Sequence, residues 1–190
     1  MLRFLTLALA FLVTALTMPV PPAAATEAGW ALLRQGGQAV LLVNANAPGS
    51  GDPARFDIDN CRTQRNLSDR GRQQARRIGA LFAARAEPVE TVYSSRYCRA
   101  AETARLAFGD RLVETMAALD SIAGHEDTAE EANEAVIATV RDYSGSGNLV
   151  LVTHPENVLA LTGVRAREGE AVIVAPQGDG LAVIGRIVFN

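Results

Sequence analysis

Three short stretches carry side chains able to do chemistry. "LVLVTHPEN" places His154 at the tip of an apolar run, where an imidazole can donate, accept or attack. "YSSRYCRAAETA" places Arg99 on the first turn of a helix that follows another apolar run. Free backbone N–H groups and the positive dipole end lie there already, so a guanidinium beside them completes an anion site. "CRTQRNLS" adds Arg65, a further candidate phosphate contact. Each also has a plainer reading: a structural histidine, a solvated helix-start arginine and a solvated loop arginine. Two carboxylates stand near these groups in sequence. Asp120, in "AALDSI", is the candidate proton donor, while Glu156, two residues past His154, could neutralise positive potential or simply favour its helix dipole. The other histidine, His125, lies in the polar loop "AGHEDTAEE" and reads as solvated. A fourth stretch, "AVLLVNANAPGSGDP", runs a strand into a turn-rich loop but ends at Val43 and Asn44, neither of which can attack or protonate anything.

The elements that must position these residues alternate. Glu27–Gln35 reads as a short helix, Ala39–Val43 as a strand and Ala45–Leu67 as a long loop. Ser68 reads as an N-cap, followed by Gly71, Ala75, Ile78 and Phe82 on one helical face. Then come the strand "VETVYSS", the helix "RYCRAAETARLAF", a weaker strand with its following loop in "RLVETMAAL", a helix over Thr128–Tyr143, the buried strand "NLVLVTH" and a helix from Pro155 to Leu161. "EAVIVAP" and "GLAVIGRIVF", joined by "QGDG", form a terminal hairpin. Alternating strands and helices predict an α/β three-layer sandwich, a mostly parallel sheet with helices on both faces. Sites in such sheets form at the carboxyl ends of strands, here Val43-Asn44, Ser94-Ser95 and Thr153-His154.

Residues 1–25 read as a secretory signal peptide: Arg3, the 13-residue apolar run Phe4–Leu16, and small residues around Ala25. The run is too short for a membrane span, which needs about 20 residues, so no stable membrane anchor is expected after cleavage. Residues 26–190 suffice for one domain with its own core. A net charge of -3 points away from nucleic acid and anionic membranes. All 18 basic residues are arginine, and those crowded between Arg62 and Arg96 lack interleaved aromatics, so they read as a solvated helix face. Export, expected to be periplasmic, places Cys61 and Cys98 in an oxidising compartment, where an even pair favours a disulfide over two buried thiols. The loop holding Cys61 and the helix start holding Cys98 leave the same sheet edge, so the two can meet.

Taken together, "NLSDRGRQQA", "YSSRYCRAAETA" and "LVLVTH" resemble the histidine phosphatase superfamily, the phosphoglycerate mutase-like fold, and in particular its small exported bacterial members. The resemblance spans about Gly36 to Asn190. It implies phosphoryl transfer through a phosphohistidine, with arginines and a second histidine on the phosphate oxygens and an acid for the leaving group. On that pattern Arg99 matches a pocket arginine and His154 the supporting histidine. Val43 stands where the family has its first arginine, and Asn44 stands at the nucleophile position. The resemblance implies neither cofactor nor metal.

The expectation is therefore a non-catalytic member whose role is to bind phosphate or another small anion, to bind a protein partner, or to sense a signal. An alternative is a weak phosphomonoesterase using His154 or an activated water. A third is a structural or interaction protein with no pocket ligand.

Overall fold

The computed structural model describes residues 22–85, 88–125 and 127–189. The first 21 residues of the expected signal peptide therefore lie outside the described residues. Helix α1 covers Pro22–Leu33, starting before and ending before the expected Glu27–Gln35, and it runs through the expected cleavage point at Ala25. Strand β1 (Ala39–Val43) follows, then a long loop containing a 3₁₀ turn at Cys61–Thr63. Helix α2 spans Asp69–Ala84, with the Ser68 hydroxyl capping the N–H of Gly71. A side chain at Gly71 would collide with the Asn46 carbonyl, so glycine lets the helix start press against the loop leaving β1.

The chain continues through β2 (Val89–Ser94), α3 (Cys98–Phe108) and a short β3 (Val113–Thr115). Within "RLVETMAAL", expected as a weak strand with its following loop, the strand takes three residues and a 3₁₀ turn at Ala117–Leu119 follows. Then follow α4 (Ala129–Asp142), β4 (Asn148–Thr153), α5 (Pro155–Thr162), β5 (Glu170–Gln177) and β6 (Gly180–Val188).

The strands form one sheet in the order β3-β2-β4-β1-β5-β6. The first four are mutually parallel, and β5 and β6 run antiparallel at the far edge as the terminal hairpin. The period-2 alternation of strands splits the core. Val40 and Leu42 of β1 join Val150, Val152, Ile78, Phe82, Ala100 and Ala104 under α1, α2 and α3. Leu41 and Val43 face the other way and join Leu151, Val136, Val140, Val158 and Leu161 under α4 and α5. The three layers expected from the sequence are thus present. Among the described residues no helix is long and apolar enough to cross a membrane.

The disulfide is formed. Cys61 and Cys98 are bonded with Cα atoms 5.7 Å apart, inside the range such a bridge needs. It ties the long loop to the first residue of α3, one position before Arg99.

Candidate functional site

The parallel register brings the ends of β1, β2 and β4 together. Val43 pairs with Thr153, the Asn44 N–H donates to the Thr153 carbonyl at 2.9 Å, and the Ser95 N–H donates to the Val152 carbonyl at 3.0 Å. Asn44, Ser95 and His154 consequently sit side by side on one sheet edge, all fully buried.

Their hydrogen bonds fix the proton positions. Ser95 has a single hydroxyl proton, and Asp120 Oδ1, 2.9 Å away, takes it. The Tyr97 N–H donates to the same hydroxyl oxygen at 3.1 Å. His154 Nε2, 2.9 Å from that oxygen, must therefore be the protonated nitrogen and donate to it. Its Nδ1 carries the lone pair and has no partner in the protein. Burial first, and then the charges of Arg99 and Arg65, hold the imidazole well below its usual pKa of 6.5, so it is neutral near pH 7. Ser, His and Asp are present together, but the proton runs from histidine to serine to aspartate. That is the reverse of an activated serine.

Arg99 lies on the first turn of α3, is 1% exposed, and stacks 4.7 Å above the Tyr97 ring, which itself meets the His154 ring edge-on at 5.0 Å. Its Nη1 donates to both Asp52 oxygens, at 2.9 and 3.0 Å. Burial lowers the Arg99 pKa, and the adjacent Asp52 charge opposes that shift. Asp52 Oδ1 also accepts the Arg65 backbone N–H at 3.0 Å. The Arg65 guanidinium donates to the Ala47 carbonyl, and at 3.1 Å to Glu168, which also takes the Asn46 amide at 3.0 Å. Both expected anion-binding arginines are therefore held by carboxylates of the chain itself.

The expected acid, Asp120, stands beside Ser95 and Arg96. Asp120 accepts from Ser95, from the Arg96 N–H at 2.7 Å and from Arg96 Nε at 2.7 Å. These three partners are all donors. Glu156 accepts from the Ser121 hydroxyl, and its charge reaches Arg99 and Tyr97. His125 is exposed, as its polar surroundings indicated. Val43, expected at the position of the family arginine, is fully buried in the apolar layer under α4 and α5. Three contributors escaped the sequence reading: Asp52, Glu168 and Tyr97. Ser95 had a readable signal, its place at the end of β2; Asp52 and Glu168 come from loops whose paths local patterns do not encode. Among the described residues no group of three or more His, Cys, Asp or Glu side chains could hold a metal ion.

Residues 58–124, which include Arg65, Arg99 and Asp120, match the model of the histidine phosphatase superfamily (branch 1). Solved structures of that kind overlay most of the chain. The alpha-ribazole phosphatase of Shigella flexneri is 14% identical with a TM-score of 0.54, covering 80% of this chain and 96% of its own. In fold and in its central segment, the chain is histidine-phosphatase-like. The phosphoserine phosphatase of Entamoeba histolytica, in complex with 3-phosphoglyceric acid, is 11% identical with a TM-score of 0.54 over 80% of this chain and 96% of its own. The protein histidine phosphatase SixA, complexed with tungstate, is 14% identical with a TM-score of 0.53 over 79% of this chain and 96% of its own. No curated protein matches the sequence. The segment matched by the family model excludes Asn44 and His154.

Proposed function

We propose that this is a non-catalytic histidine-phosphatase-like domain, exported to the periplasm, that binds a small oxyanion in competition with its own Asp52. The observation that carries the reading is Asn44. It occupies the strand end beside His154, where phosphoryl transfer needs a nucleophile, and its amide nitrogen is delocalised and already donates to the Ala45 carbonyl at 2.9 Å. The cationic part of the pocket survives, because Arg99 and Arg65 stand beside a neutral His154. A carboxylate on Arg99 marks that clamp as an anion site, since Asp52 makes there the contacts an incoming oxyanion would make. Fold relatives bound to 3-phosphoglyceric acid and tungstate fit this chemistry. The Cys61–Cys98 bridge fits an oxidising compartment.

Asp52 also supports the reading in which the pocket has no ligand and the domain is purely structural. A calorimetric titration separates the two. Inorganic phosphate is expected to bind weakly to the wild-type protein and more tightly to Asp52→Asn, with no phosphohistidine formed from a phosphodonor. Absence of binding to both proteins would favour the structural reading, and a phosphoenzyme would refute the non-catalytic one.

A further inference from the structure

Resting on that oxyanion reading, the unpartnered atoms of the pocket say which anion it takes. Among the described residues, Asn44 Oδ1, His154 Nδ1, Arg65 Nε and Arg99 Nε are buried with no hydrogen-bond partner in the protein, as is Asn157 Oδ1 on α5. Leaving such groups unmet is costly, so a cluster of them marks a place where a ligand belongs. The first four are of two kinds. The two guanidinium Nε–H groups are donors and want anionic oxygens.

The other two atoms can only accept. The Asn44 amide is oriented by its Nδ2, which donates to the Ala45 carbonyl, so Oδ1 is the free end. His154 is oriented by Nε2–H on Ser95, whose hydroxyl is committed to Asp120, so Nδ1 offers a lone pair. Neither assignment can flip without breaking a bond to an obligate acceptor. Their neighbourhood follows from the sheet, since the Asn44 N–H bonds the Thr153 carbonyl immediately before His154. A fully ionised tetrahedral anion would turn oxygen lone pairs toward two acceptors. An anion that keeps one hydroxyl would instead donate to one of them.

We propose that the pocket selects a protonated oxyanion, hydrogen phosphate or a monoester that retains a P–OH, over a fully ionised one, with Asn44 and His154 as the specificity-determining acceptors. The substitution that removed the nucleophile thereby supplied an acceptor. Asp52 is displaced on binding, and its two contacts to Arg99 pass to the anionic oxygens.

Sulfate and phosphate at pH 8 give the test, because both are tetrahedral dianions and only phosphate carries a hydroxyl. Calorimetric titrations of the wild-type protein and of Asp52→Asn should show phosphate favoured over sulfate by roughly 10- to 100-fold, the cost of an unmet buried acceptor. Asn44→Leu, which removes one acceptor, should narrow that ratio. Equal affinities for the two anions would overturn the selectivity and leave the oxyanion reading standing, with solvent satisfying the two acceptors. Binding of neither anion, even to Asp52→Asn, would remove both.

Discussion

Asp52 sets both carboxylate oxygens within 3.0 Å of Arg99 Nη1, with the arginine side chain 2% exposed and the aspartate 17%. A loop residue thus neutralises the charge that a helix start presents to the pocket. Truncating one partner of a buried pair strands the other charge, which costs about 3–5 kcal/mol when both are fully buried. Asp52 keeps some solvent access, so Asp52→Asn should cost about 2–3 kcal/mol. Millimolar phosphate should restore part of that loss in a denaturant titration, because a ligand that binds only the native state stabilises it. A variant as stable as wild type, or unaffected by phosphate, would count against Asp52 as the occupant of an anion site.

The buried imidazole gives a pH signature. His154 has its pKa lowered well below 6.5 in the folded state, by burial and by the two arginines. Above pH 6.5 both folded and unfolded chains hold it neutral, and its full contribution to stability is present. As pH falls below 6.5 the unfolded chain takes up a proton that the native state refuses, and stability drops by up to about 1.4 kcal/mol per pH unit for that one proton. The loss continues down to the folded pKa. Unfolding titrations at pH 7, 6 and 5 should therefore show a shallower acid slope for His154→Gln than for wild type. Identical slopes would mean that the imidazole is not buried in its neutral form.

Covalent closure of the long loop should matter for stability. The bridge joins residues 37 apart, and chain entropy for a loop of that length gives about 4 kcal/mol as an upper guide. It does not act alone, because Gln64 Oε1 accepts the Cys98 N–H at 2.9 Å and its amide donates to the Asp57 and Ile58 carbonyls. The Cys61→Ser, Cys98→Ser double variant should thus fold but melt several degrees lower than the oxidised protein. Equal melting temperatures would show that the loop is already ordered without the bridge.

What could be read in advance follows the range of the interactions. Helix α2 declared itself through Ser68 and the Gly71–Ala75–Ile78–Phe82 face, all local signals, and those four residues are the ones buried. Strand β4 was equally plain as an unbroken apolar run, buried at every position. Strand ends then located Asn44, Ser95 and His154, because parallel pairing carries all three to one edge. The carboxylates were not legible. Asp52 reaches Arg99 across 47 positions and Glu168 reaches Arg65 across 103, contacts that no spacing rule encodes. The contacts of Asp120 were hidden for the same reason: its bonds to Ser95 and Arg96 cross 24 or 25 positions.

The packing of Val43 sets the outcome of reconstruction. Its side chain is fully buried among apolar residues, so Val43→Arg introduces a charge into the layer beneath α4 and α5 and should cost about 2–4 kcal/mol. Asp52 and Glu168 would still occupy Arg99 and Arg65. The Val43→Arg, Asn44→His double variant is accordingly expected to stay inactive on an aryl phosphate, and adding Asp52→Asn is expected to give the first measurable rate. Activity in the double variant alone would show that the carboxylates yield to substrate unaided.

Absence of chemistry at Asn44 is the central claim, and steady-state hydrolysis of a generic aryl phosphate by the purified wild-type protein tests it most directly. The expected result is a rate indistinguishable from buffer, unchanged in His154→Ala, because the amide of Asn44 cannot attack phosphorus. Robust turnover that disappears in His154→Ala would contradict the account and make His154 the catalytic base or nucleophile of an active phosphatase.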